Sequence, residues 1–82
     1  MYSENNYAMD STSKILEPLL PYLKWGSISK DYLGFSRGWI YQRLNGYDGN
    51  GNATEFTKDQ KEKLSHALLD LSCKIKEVAE KL

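Results

Sequence analysis

The sequence is poor in several things, and each scarcity excludes something. It holds one cysteine, Cys73, so no internal disulfide can form, and a lone thiol suits a reducing, cytoplasmic location. Its one histidine, His66, has no second ligand at metal-binding spacing, so no metal is expected. No apolar run approaches the ~18 residues a bilayer crossing needs, and no basic-then-apolar leader opens the chain, so neither membrane nor export is expected. No nucleophile sits beside a base, so we expect no enzyme activity, no cofactor and no small-molecule substrate. Charge of one sign is also missing: eleven basic side chains balance eleven acidic ones. Residues 25–47, however, carry Lys30, Arg37 and Arg43 against Asp31 alone, between stretches holding Glu4 and Asp10 on one side and Asp48 and Glu55 on the other.

What is present is helical periodicity in a chain long enough for one small domain. Residues 1–9 read as a flexible arm, and residues 10–82 as a single all-α domain of four or five helices. Ile15, Leu16, Leu19, Leu20 and Leu23 predict a first helix over about 11–20, interrupted by Pro18 and Pro21 and followed by a turn through Trp25 that Gly26 closes. Ser27 is the expected cap of a second helix with Ile28, Tyr32 and Leu33 inward, ended by Gly34 in a left-handed conformation. Ser36 caps a third helix with Trp39, Ile40 and Leu44 inward, stopped at Asn45-Gly46. After a Gly/Asn-rich loop over 45–55, Thr57 and Gln60 form a capping box opening a long helix over 57–82.

Residues 27–46, SISKDYLGFSRGWIYQRLNG, thus hold two short helices around a glycine turn, the grammar of a helix-turn-helix. In that arrangement the first helix braces across phosphates and the second presents its outward residues to base edges. A wheel from Ser36 turns Gly38, Gln42 and Asn45 outward, flanked by Arg37 and Tyr41. Arg pairs bidentately with guanine and Gln with adenine, while a glycine lets the backbone come close. Arg37, Gly38, Tyr41 and Gln42 are the expected base-reading residues; Lys30, Ser36 and Arg43 are the expected phosphate contacts.

The stretch resembles the helix-turn-helix of the phage repressor and Cro-like group. "DYLGFSRGWI" is similar to that group's D-L-G-V-S-x-x-x-I core, with Leu33, Gly34, Phe35, Ser36 and Ile40 on matching positions. The resemblance implies DNA contacts at Ser36, Arg37, Gly38, Tyr41 and Gln42, and a small transcriptional regulator acting on double-stranded DNA. There are two departures. Four residues separate Ser29 from Gly34 where the group has three, and Arg43 stands where the group prefers an apolar side chain. The longer pattern "LPY…SISKDYLGFSRGWIYQRLNG…EFT" also resembles a family of short bacterial proteins with no assigned activity.

Two other features carry expectations. Asp48, Asn50, Asn52 and Asp59 fall at calcium-loop spacing, but Ala53 stands at the turn-glycine position and Glu55 at an apolar one, so no cation is expected. Leu64, Leu68, Leu71, Ile75, Val78 and Leu82 step by four and three residues, a heptad stripe that Ala67 and Leu69 widen in its first half. Its second half, Leu71, Ile75, Val78 and Leu82, is the expected coiled-coil seam of a homodimer. The alternative is a non-enzymatic adaptor whose seam binds another protein, with residues 27–46 only a structural corner.

Overall fold

Two prolines three residues apart set the first element. The structure, a computed structural model, describes residues 12–47 and 50–82. The arm at 1–9, Asp10 and Ser11, and Asp48 and Gly49 in the loop lie outside the described residues. Helix α1 spans Thr12–Leu16 and tightens at once into a 3-10 turn over Glu17–Leu19, with Pro18 in its first positions, where a missing N–H leaves no bond unmade. The change of winding re-aims the side chains. Leu16 is buried, but Ile15 is 74% exposed and Leu19 faces solvent, against the inward roles expected of them.

The second helix starts earlier than expected. Helix α2 begins at Trp25, not after Ser27, and runs to Ile28, continuing as a π turn over Ser29–Leu33. Trp25 belongs to the core instead of a turn: it is 3% exposed, and its indole Nε1 donates to the Leu20 carbonyl at 3.0 Å. Burying so large a ring with its polar atom satisfied outweighs the capping preference of Ser27. Gly26 therefore lies inside α2. A Cβ there would meet Arg37 Cβ at 3.4 Å, so the glycine lets the next helix come close.

Helix α3 spans Arg37–Asn45 and helix α4 spans Lys58–Lys81, each capped as the sequence predicts. Ser36 Oγ accepts from the Trp39 N–H at 3.2 Å. Thr57 and Gln60 exchange side chain-to-backbone bonds at 2.9 and 3.2 Å. Gly34 and Gly46 end their helices at φ 78° and 85°. The fold is all-α, four helices with no strand among the described residues. An isolated antiparallel bridge pairs Tyr47 with Ala53, and the Thr54 N–H donates to the Gly46 carbonyl at 2.9 Å, folding the loop against the end of α3.

The core gathers Leu16, Trp25, Ile28, Leu33, Ile40, Leu44, Phe56, Leu64 and Ala67 from all four helices and the loop. Trp39 stacks on Phe35 at 4.2 Å and meets the edge of Phe56 at 5.7 Å. Only the first half of α4 joins this core. Leu69 is 61% exposed and does not widen the buried face, because the body covers the helix on the Leu64–Ala67 side. From Ser72 onward every α4 residue is exposed.

One surface cluster fastens α4 to the π turn. Tyr32 Oη donates to Asp70 Oδ2 at 2.6 Å, Lys74 Nζ donates to Tyr32 Oη at 3.0 Å, and Lys74 and Asp70 pair at 3.3 Å. The Tyr32 hydroxyl, then Lys74, holds the Asp70 carboxyl below its ordinary value; the same hydroxyl, then Asp70, holds the Lys74 ammonium above its own. A lowered carboxyl stabilises the fold above its unfolded pKa, and that contribution fades as pH falls through the folded value. A raised ammonium stabilises the fold below its unfolded pKa, and its share fades as pH rises through the folded value. Tyr32→Phe is therefore expected to lose a small increment of stability at neutral pH and a smaller one in strong acid, where the Asp70 share is gone and the Lys74 share remains. Urea unfolding of both proteins at several pH values measures the difference; an equal loss at every pH would mean packing, not the charged cluster, sets it.

Candidate nucleic-acid interface

The turn between α2 and α3 is organised by one small buried residue. Ser29 is 0% exposed. Its carbonyl accepts from the N–H groups of Gly34 and Phe35, the latter at 3.0 Å, and its Oγ donates to the Ser36 carbonyl at 2.6 Å. A single serine thus closes the π turn and pins the cap of α3. The π turn also accounts for the extra residue between Ser29 and Gly34: wider winding takes one more residue per turn and still delivers the glycine to a left-handed stop. Ser13 plays a related part at the far end of α3, its Oγ donating to the Leu44 carbonyl at 2.6 Å.

With Ile40 and Leu44 buried, α3 turns a continuous face outward. Ser36, Arg37, Gly38, Tyr41 and Asn45 are exposed on it. Arg37 lies along Gly26 and its Nη1 donates to Ser27 Oγ at 3.1 Å, which orients the guanidinium and leaves most of its five donors without a partner among the described residues. Lys30 is exposed on the π turn. The remaining two expected residues sit deeper. Gln42 is half-buried, with the Thr54 hydroxyl 3.4 Å from its carbonyl. Arg43 is half-buried with its guanidinium 5.0 Å from the Trp39 ring centroid, which explains how a charged residue stands at an apolar position: its stem and π contact serve as packing. Its Nε is buried with no acceptor among the described residues.

Gly38 is the residue on this face that the fold does not need. Its φ is not positive, and an added Cβ would meet nothing within 4 Å. Glycine within a helix costs about 0.5–1 kcal/mol relative to alanine. Gly38→Ala is accordingly expected to raise stability by up to that amount, read as a higher urea midpoint. If the bare backbone is there for close approach of a ligand, the same variant binds that ligand more weakly; a stabilised variant with undiminished binding would remove Gly38 from the interface.

Against this geometry, the family model of DUF5053, a domain of unknown function, matches residues 12–82. The chain belongs to the DUF5053 family. No curated protein and no solved structure matches it. For this DUF5053 chain, then, the chemistry of the face is what speaks to its use. Among the described residues no group of histidine, cysteine and carboxylate side chains is placed to hold a metal ion, and no helix is long and apolar enough to cross a membrane. The Asp48 position of the calcium-loop spacing lies outside the described residues. Ser29 was visible in the sequence as the small residue ahead of the turn glycine; the buried roles of Ser13 and Trp25 were not.

Proposed function

We propose that this protein binds double-stranded DNA in a sequence-specific manner through the outward face of α3, as a small transcriptional regulator. The observation that carries the reading is the uncovered face itself: a capped helix, braced by α2 through a glycine turn, presenting Arg37, Gly38 and Tyr41 with nothing of the described chain across them. In this reading α2 is the bracing helix of a helix-turn-helix and α3 enters the major groove. Arg37, Tyr41 and Gln42 read base edges, and Gly38 admits the backbone. Ser36 and Lys30 meet phosphates. Ser36 Oγ accepts from Trp39, and its own proton remains free to donate. Arg43 reaches a phosphate from over Trp39.

Fluorescence anisotropy with a randomised duplex pool, titrated from low to moderate salt, tests this. Binding that weakens steeply as salt rises is expected, because phosphate contacts release counterions. Gln42→Ala is expected to relax sequence preference by about 1–3 kcal/mol at one position, whereas Arg43→Ala weakens binding to all sequences and lowers the salt slope by about one. The zero net charge favours the rival reading, a protein adaptor with α2 and α3 as a plain corner. Absence of binding even at low salt would decide for it.

A further inference from the structure

We propose that the distal half of α4 pairs in parallel with the same segment of a second copy of this chain. The segment is exposed from Ser72 to Leu82, and a free helix of that length is marginal in water. Yet it carries an apolar seam: Ile75 is 57% exposed, Val78 58% and Leu82 101%. Leu71, half-buried against the chain's own core, joins this seam to the body, so the apolar line runs unbroken from core to tip.

The residues around the seam choose the occupant and the direction. The spacing places Ile75 and Leu82 at a, and Leu71 and Val78 at d. A β-branched residue at a with leucine at d suits two parallel strands, and Ile75 with Leu71 has that order; Leu82 with Val78 reverses it, so the flanking residues set the direction. The flanking e positions are Ser72 and Ala79, small and neutral; the g positions are Lys74 and Lys81. Parallel pairing sets e of one helix beside g of the other, so Lys74 lies against Ala79 of the second copy and its stem covers the seam without meeting a like charge. Antiparallel pairing sets g beside g and brings Lys74 towards Lys81, a repulsive contact. A foreign helix would need acidic flanks to complement the lysines, whereas a second copy fits with the neutral flanks it already has. Cys73 lies at f, on the outer side, away from the pairing line. With four seam residues per chain the interface sits at the small end of the range, below about 1,200 Å², and the dimer is reversible and concentration-dependent.

Sedimentation equilibrium of the full chain, without DNA, from low to several hundred micromolar tests the pairing separately from any DNA binding. The mass is expected to rise from one chain to two. Ile75→Lys combined with Val78→Lys, both at exposed positions, is expected to weaken association at least tenfold and leave the dilute monomer's melting unchanged. A parent chain that stays monomeric, or a variant that associates as well as the parent, overturns the proposal. Direction is read by oxidising a Cys73→Ser, Val78→Cys chain: a parallel dimer closes a 78–78 disulfide. Crosslinking that occurs only when Ile75→Cys and Val78→Cys chains are mixed would overturn the parallel arrangement.

Discussion

Trp25→Ala is expected to destabilise the protein by about 3–5 kcal/mol, the range for removing a buried aromatic ring from a core. Small domains have only about 5–15 kcal/mol in total, so a large part of this chain's stability would go. The residue is 3% exposed, and truncation also strips the Leu20 carbonyl of its indole donor. That bond ties the end of the proline-bearing segment to the first turn of α2, so its loss loosens the brace behind α3 as well as the core. Urea unfolding followed by circular dichroism measures the change. Trp39→Ala makes a useful contrast: that ring is half-exposed and stacks at the surface end of the core, so its removal is expected to cost less. A Trp25→Ala protein within about 1 kcal/mol of the parent would mean the tryptophan is not the core residue described here.

The second large effect is on binding and leaves stability nearly untouched. Arg37→Glu is expected to weaken duplex binding by about 1–3 kcal/mol or more, roughly ten- to a hundredfold, through a lost bidentate contact and an added repulsion. Its stability cost is expected within about 0.5 kcal/mol, because the side chain is exposed and its one hydrogen-bond partner among the described residues is the Ser27 hydroxyl. This separation makes Arg37 a cleaner probe than Arg43, whose reversal would also break the contact over Trp39. Anisotropy with one duplex, read beside a urea melt, tests both halves. Unchanged binding would take Arg37 off the interface.

How much of this was legible in the sequence depends on whether the deciding interaction was local. Most caps and stops were: Ser36, Thr57 with Gln60, Gly34 and Gly46 act within a few residues of themselves and sit where the sequence predicts, whereas Ser27, the expected cap of α2, lies inside it. Partners distant along the chain were not. Trp25 looked like a turn residue until its indole found Leu20 and the core closed over it. Ser13 looks like an ordinary polar residue and Ser29 only like the small residue ahead of the turn glycine; the approach of Leu44 and Ser36 makes them buried donors. Tyr32 meets Asp70 across 38 residues, although the Asp70–Lys74 spacing was readable on the helix. Leu69 and Ile15 fitted the apolar pattern yet face solvent, because the pattern says which residues could face a core and not how wide that core is. On the candidate face, Gly38 and Asn45, expected outward, and Arg37 and Tyr41, expected to flank them, are all exposed, whereas Gln42, expected outward, is half-buried. The depth of Gln42 and Arg43 was hidden by the returning loop and by Trp39.

The most direct measurement of the central claim is a nitrogen–proton correlation spectrum of the labelled protein, titrated with duplex DNA at low salt. The account expects amide shifts concentrated at Ser36, Arg37, Gly38, Tyr41 and Gln42, with a smaller set near Lys30, and little change from Ile75 to Leu82. A spectrum that ignores the duplex, or shifts confined to α4 and absent from α3, would contradict it.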